Sequence, residues 1–276
     1  MTEYLDSPID FATREVAEAF DELPLWSAPF GLLLLDRVPL RRGMAVLDVG
    51  CATGFPLLEL AQRLGPSSTV VGIDPWRQAL DRAAVKLRQY GLRNVRLVEG
   101  DAAATGFADE SFDLVTSNLG VNNFADPDRV LAELHRVLRP GGHLCVTSNF
   151  LGHMAELYRV FRRVLEETGN ADRLDALREH EEHRSTLNVL SVRLERAGFR
   201  VFDRAETSFR MRFLDGAALL RHYFIRLGFL EGWKEIVPPE RRAAVFARLE
   251  AELDALAARE GELALTVPAG YVAAVK

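Results

Sequence analysis

From residue 44 to residue 148, short apolar runs alternate with stretches whose apolar residues recur at helical spacing. Residues 45–49, Ala-Val-Leu-Asp-Val, read as a buried strand. Residues 56–64 follow, with Leu57, Leu60, Ala61 and Leu64 on one helical face and Pro56 suited to a first turn. Residues 69–74 predict a second strand, and 77–90 a second helix stopped by Gly91. Residues 95–98 and 112–116 give two further strands. A helix over 127–138 then places Val130, Leu131, Leu134, Val137 and Leu138 on one broad face. Pro140-Gly141-Gly142 breaks that pattern before a fifth strand at 143–147. Strands separated by helices of this length are joined by crossovers, so the fold is α/β, with a parallel sheet covered on both faces.

Beyond Asn149 the pattern changes. Residues 151–167 carry Met154, Leu157, Tyr158, Phe161, Val164 and Leu165 on an amphipathic face. A charged stretch, 173–184, leads into a helix over 186–197 that Gly198 stops. Residues 199–213 alternate as a long strand. Residues 215–229 and 239–258 are again helical, the second with Val245, Leu249, Leu253 and Leu256 as its stripe. A closing strand over 263–275 carries an irregularity at Pro268. With no repeat, low-complexity segment or linker in view, one α/β domain with helical insertions fits better than two independent domains.

Composition narrows the function classes. Of 276 residues, 48% are hydrophobic and 27% charged, which argues against wholesale disorder. A net charge of -6 lacks the basic footprint of a nucleic-acid binder. Cys51 and Cys145, the two cysteines, form neither a disulfide framework nor a zinc pattern. The start of the chain is acidic where a secretory signal is basic. The apolar run 30–35 falls far short of the ~20 residues that span a bilayer. The expected setting is cytoplasmic, away from membranes.

The chemistry concentrates in Val46-Leu-Asp-Val-Gly-Cys-Ala-Thr-Gly-Phe-Pro56, a strand, a glycine-containing turn and a helix start. Gly50 and Gly54 permit a backbone sharp and bare enough for a ligand to lie against it. Asp74 ends the second strand, where a carboxylate can accept from both hydroxyls of a ribose. A dinucleotide would set its pyrophosphate over the turn, close to Asp48, and the third glycine of the dinucleotide pattern is missing. A cationic ligand suits Asp48 better. Asp101, after the third strand, can accept from an adenine amino group.

On these residues the chain resembles the class I S-adenosylmethionine-dependent methyltransferases, in particular the small-molecule group that includes quinone-biosynthesis enzymes. Four stretches match in order: Val46 to Gly54, Val71-Gly-Ile-Asp-Pro75, Val98-Glu-Gly-Asp-Ala102 and Phe112-Asp-Leu-Val-Thr-Ser-Asn118. Leu138-Arg-Pro-Gly-Gly142 fits as well, while Ala52 replaces a glycine frequent in the group. The resemblance covers about residues 41–149. It implies a Rossmann-like, seven-stranded, mainly parallel sheet with helices on both faces and its last strand reversed. It also implies that Asp48, Gly50, Cys51 and Gly54 flank the methionine part of S-adenosyl-L-methionine, that Asp74 holds the ribose, and that Trp76 packs near the adenine. Asp101 and Ala102 would read the adenine edge, and Asn118 would lie beside the methionine. The division so implied is an N-terminal helical segment (1–40), a cofactor-binding core (41–149), helical lid insertions (150–185 and 214–262), and two segments completing the sheet (186–213 and 263–276). The segment 26–30 is a further lid candidate.

Each of these residues also has a plainer role. Asp48 can bond to backbone, Asp74 can cap a helix, Trp76 can belong to the core, and Cys51 reads as a buried filler. His180-Glu-Glu-His183 has metal-binding spacing but, among Arg178, Glu179 and Arg184, reads as a solvated charged face. Asn122 and Asn123 beside Asn118 suit either a ligand or their own loop. His153, His222 and Tyr223 are the candidate catalytic bases, with Arg221 and Arg226 placed to steady an anionic substrate. The leading expectation is metal-free methyl transfer to a small-molecule acceptor, yielding S-adenosyl-L-homocysteine. The competing readings are an NAD(P)-dependent oxidoreductase and a non-catalytic S-adenosylmethionine-binding protein. The sequence leaves the oligomeric state and the acceptor atom open.

Overall fold

The computed structural model of the protein describes residues 3–6, 9–23 and 25–276. The chain divides into two compact units. One comprises residues 11–149, 186–207 and 269–276, and the other residues 1–10, 150–185 and 208–268.

The first unit is built on the sheet. Before it come α1 (Arg14–Asp21) and α2 (Ser27–Arg37). The core then runs β1 (Ala45–Val49), α3 (Leu57–Leu64), β2 (Thr69–Asp74), α4 (Arg77–Gln89), β3 (Val95–Glu99), β4 (Phe112–Asn118), α5 (Pro127–Val137) and β5 (Leu138–Asn149). In the second unit lie α6 (Ala155–Glu167) and α7 (Leu174–Glu182), whereas α8 (Leu187–Arg196) returns to the first. β6 (Arg200–Phe213) and β7 (Leu263–Val275) each contribute residues to both units. Between them stand α9 (Gly216–Arg221), α10 (Tyr223–Ile225), α11 (Glu231–Ile236) and α12 (Pro239–Glu260).

The sheet has seven strands in the order β3-β2-β1-β4-β5-β7-β6. β1 pairs in parallel with β2 and β4, as β2 does with β3 and β4 with β5, while β7 runs antiparallel to β5. The strand order reverses between β1 and β4. There the connections leave β1 in one direction and β4 in the other, opening a crevice at their carboxyl ends. Val46, Leu47 and Val49 of β1 are wholly buried, as a strand covered on both faces requires.

Several boundaries differ from the sequence reading. Pro140-Gly141-Gly142 does not break the chain before β5. Phe112 pairs with Leu138 and Leu114 with His143, so the intervening residues bulge within the strand. α3 begins at Leu57, with Pro56 as its cap. β7 runs through Pro268 without interruption, the Pro268 carbonyl accepting from the Phe150 N–H. The helix expected over 215–229 is divided: extended backbone at His222 separates α9 from α10, and a π-helical turn, Arg226–Leu230, precedes α11. α6 starts at Ala155 rather than 151, because Met154 takes a left-handed conformation with φ +53°. That leaves His153 in a turn.

Each unit has its own apolar core. In the sheet unit, Leu34, Val46, Leu57, Leu60, Val70, Leu114 and Tyr271 pack together. In the helical unit, Phe161, Trp233, Phe246, Leu249 and Leu253 do so.

Candidate functional site: an acidic cradle at the carboxyl end of β1

Three residues of the loop after β1 have positive φ: Gly50 (+75°), Ala52 (+43°) and Gly54 (+104°). Only glycine takes this region without steric cost, so Ala52 is strained and must be held there. Asp74 holds it. The Ala52 N–H donates to Asp74 Oδ2 at 2.8 Å, and the Trp76 N–H donates to Asp74 Oδ1 at 2.8 Å. The carboxylate thus ties the β1 loop to the start of α4. Its burial pushes the Asp74 pKa up, against the opposing effect of the two N–H donors.

Asp48, the last residue but one of β1, is 1% exposed. Thr116 on β4 donates to its Oδ1 at 2.6 Å. Oδ2 is buried with no hydrogen-bond partner among the described residues. Burial, with a smaller push from the Asp74 charge, raises the Asp48 pKa to about 7. Two buried carboxylates beside a bare loop make an environment that attracts a cation and repels a phosphate. The uncompensated Oδ2 fits the ammonium of S-adenosylmethionine and is a poor neighbour for a pyrophosphate.

Cys51 fills space, as its residue type suggested. It is fully buried, and its thiol pKa is pushed well above the usual value by burial and the two nearby carboxylates. A Cβ on Gly72 of β2 would come within 2.8 Å of its sulfur, so the bare glycine is what admits the thiol.

Asn118 ends β4, nearly buried; its Oδ1 accepts from Thr147 at 2.7 Å and its Nδ2 donates to the Ser27 carbonyl at 3.3 Å. Asn122 is engaged with Ser148, which donates to its Oδ1 at 2.5 Å, and with Asn149. Asn123 is exposed and closes its own turn through the backbone. Asp101 is exposed, with Oδ1 accepting from the Ala103 N–H at 2.9 Å, and Ala102 lies beside it half-buried. Trp76 is half-buried and meets Phe11 and Phe20 edge-on, each at 5.4 Å between ring centroids. Its indole N–H donates to the Phe11 carbonyl at 2.7 Å.

All these residues belong to the sheet unit, whereas His153, His222 and Tyr223 belong to the helical one. His153 is 2% exposed and lies 5.3 Å from the Phe229 ring. Burial drives its pKa well below the usual value, with Arg184 and His180 adding to the effect. His222 is exposed and meets Phe213 edge-on, while Tyr223 opens α10. His180 does not sit on a solvated face: its ring packs against Tyr158 and a Cβ on Gly232 would strike it. Its pKa falls to about 4, chiefly through burial. Among the described residues no group of His, Cys, Asp and Glu side chains could hold a metal ion.

Sequence reasoning missed the supports. Thr147 lies in none of the matched stretches, and Thr116, though inside Phe112–Asn118, is not among the residues singled out there.

A family profile described as a methyltransferase domain matches residues 40–186. The chain is 33% identical over 255 residues to the nocamycin O-methyltransferase of Saccharothrix syringae, an alignment covering 88% of this chain and 89% of that one. The chain belongs to the class I S-adenosylmethionine-dependent methyltransferases. The chain is also 39% identical over 107 residues to the demethylmenaquinone methyltransferase of Lactobacillus johnsonii. That match covers 38% of this chain and 44% of the relative, so the likeness spans only about half of such relatives. Among solved structures, a methyltransferase-fold protein from Bacillus halodurans is similar at a TM-score of 0.58 and 21% identity. The likeness covers 89% of this chain and 98% of that one. Among the described residues no helix is long and apolar enough to cross a membrane.

Proposed function

We propose that the chain transfers the methyl group of S-adenosylmethionine to an oxygen of a small-molecule acceptor by direct in-line displacement. The unpartnered Asp48 Oδ2 beside the bare Gly50–Gly54 loop carries this reading, because it offers a buried anion where the cofactor has a cation. When bound, the cofactor supplies a sulfonium-activated methyl group, so neither a metal nor a covalent enzyme intermediate is needed. Asp48 receives the ammonium. Asp74, whose oxygens each keep a lone pair beyond the backbone N–H they accept, receives the ribose hydroxyls. Asp101 and Ala102 face the adenine edge, and Asn118, Gly50, Cys51 and Gly54 shape the methionine end. An oxygen acceptor is favoured because the relative aligned along nearly the whole chain is named as an O-methyltransferase.

The helical unit is proposed to select the acceptor. His153 is held neutral by burial and can accept a proton, and the same burial makes it a weak base. His222 and Tyr223 are the other candidates. An acceptor that is already anionic, such as a carboxylate, needs no base at all. The net charge of -6 argues against a nucleic-acid acceptor, and the buried free thiols Cys51 and Cys145 suit a reducing cytoplasm.

Titration calorimetry tests the cofactor: S-adenosylmethionine should bind and NAD should not. Tight NAD binding would restore the oxidoreductase reading. Release of S-adenosylhomocysteine with candidate acids and phenols then separates an enzyme from a protein that only binds the cofactor. Substituting a true base should lower kcat by roughly 10²–10⁴-fold with cofactor affinity unchanged.

A further inference from the structure

α2 lies before the matched family region, which begins at residue 40, yet it touches the cradle on both sides. Its inner face carries Phe30, Gly31, Leu34 and Leu35, all buried and spaced as one helical stripe. Leu34 and Leu35 join Val46 of β1 and Leu57 and Leu60 of α3 in the core of the sheet unit, which anchors the helix. Two contacts one turn apart then reach the site. The Ser27 carbonyl accepts from Asn118 Nδ2, at the end of β4, at 3.3 Å. Four residues on, Gly31 faces the ring of Phe55, the residue between Gly54 and Pro56.

A Cβ on Gly31 would fall 2.2 Å from Phe55 Cε1 and 2.5 Å from its Cζ, far inside van der Waals contact. Glycine is a poor helix former, and Gly31 does not have a positive φ, so the backbone of α2 gives no reason for it. The ring does. Gly31 is a notch in α2, and Phe55, half-buried against the same core, fills it. The loop after β1 is therefore held at both ends. At its start, Ser117 donates to the Val49 carbonyl at 2.9 Å, and a Cβ on Gly50 would lie 3.5 Å from the Gly120 Cα. At its end, the Phe55 ring is seated in α2.

We propose that α2 is a wall of the cofactor site and that Gly31 is a positioning residue, seating Phe55 so that the Gly50–Gly54 loop keeps its binding conformation. The inference rests on the reading of the cradle as an S-adenosylmethionine site. A side chain at position 31 expels the ring, and the loop moves with it, because Phe55 directly follows Gly54. The displaced loop must return before cofactor binds, so apparent affinity falls in proportion to the fraction of molecules that hold the competent form.

The test is calorimetric titration of S-adenosylmethionine into the full chain and into Gly31→Ala, Phe55→Leu, Phe55→Ala and the Gly31→Ala/Phe55→Leu pair, with thermal unfolding of each alongside. Gly31→Ala is expected to weaken binding about tenfold, as a competent fraction of about one tenth requires. Leucine lacks the two ring atoms that the new methyl would strike. The double variant should therefore bind several-fold more tightly than Gly31→Ala, and as tightly as Phe55→Leu alone. A wall that only supports the fold gives another pattern: melting temperatures shift while every affinity stays at the natural value, which overturns the proposal. So does a double variant that binds no better than Gly31→Ala. If Gly31→Ala does not fold, Phe55→Ala decides: an empty notch frees the end of the loop and weakens binding, whereas natural affinity refutes the wall. A natural chain that fails to bind S-adenosylmethionine refutes the reading of the cradle itself, which distinguishes the two failures.

Discussion

At the scale of the residue, Asp48 carries the clearest physical signature. Its carboxyl pKa lies near 7 in the folded chain, against about 3.9 when unfolded. The folded state therefore binds this proton more tightly. The stability so conferred is complete below about pH 4 and is lost as pH rises toward 7. A cationic ligand reverses the preference by stabilising the carboxylate. Affinity for S-adenosylmethionine should accordingly rise between pH 5.5 and 7.5 and then level off, and Asp48→Asn should flatten the profile and weaken binding at pH 8 about tenfold or more. A flat profile in the natural chain would show that Asp48 does not meet the ammonium. Asp74 has a double role. Asp74→Ala should weaken cofactor binding and also cost about 1–3 kcal/mol of stability, because the Ala52 and Trp76 N–H groups lose their acceptor. Asp74→Asn, which keeps one acceptor oxygen, should recover part of that loss in a denaturant titration. At Ala52 the left-handed backbone favours glycine, so Ala52→Gly should stabilise the apo chain by up to about 1 kcal/mol. A lower melting temperature in that variant would mean that the alanine methyl has packing worth more than the strain.

At the scale of the element, the turn between β5 and α6 decides what His153 can do. The His153 N–H donates to the Phe150 carbonyl at 3.2 Å, and the left-handed Met154 then turns the chain into α6. The ring is buried beside Phe229, and its pKa is lowered by desolvation first and by Arg184 and His180 after it. For a histidine depressed in this way, the sign is opposite to that of Asp48. The contribution to stability is present above the unfolded pKa of about 6.5 and is lost as pH falls below it. Ring-carbon NMR shifts of His153 should stay at their neutral values from pH 8 down to pH 5.5, and His153→Phe should lessen the acid sensitivity of folding. A titration midpoint near 6.5 would contradict the burial argument. The same reasoning separates His180, lowered to about 4, from the solvated face that its charged neighbours suggested.

At the scale of the whole molecule, two units with separate cores share one chain. The proposed division of labour gives the sheet unit to the cofactor and the helical unit to the acceptor. Hydrogen exchange tests it directly. S-adenosylmethionine alone should slow exchange at residues 45–54 and 69–76, whereas slowing at 155–182 and 216–260 should require an acceptor as well. Protection confined to the first set under all conditions would assign the helical unit another role.

The sequence was sufficient for the sheet and the acids at its carboxyl ends. Fully buried parallel strands must be continuous apolar runs, and a ligand-binding crossover must spend its glycines and carboxylates at fixed positions, so both leave local marks. That is why the positions of Asp48, Gly50, Gly54 and Asp74 at strand ends and in the turn are legible in Val46–Gly54 and Gly72-Ile-Asp74. Tertiary structure alone decided how those groups are held. Thr116 and Thr147 reach their partners across 68 and 29 positions, distances over which no spacing rule operates. The same holds for charge: Asp48 titrates near 7 and His153 far below its usual value because the folded chain strips water from both, and desolvation is a property of the packed interior that a lone side chain does not possess.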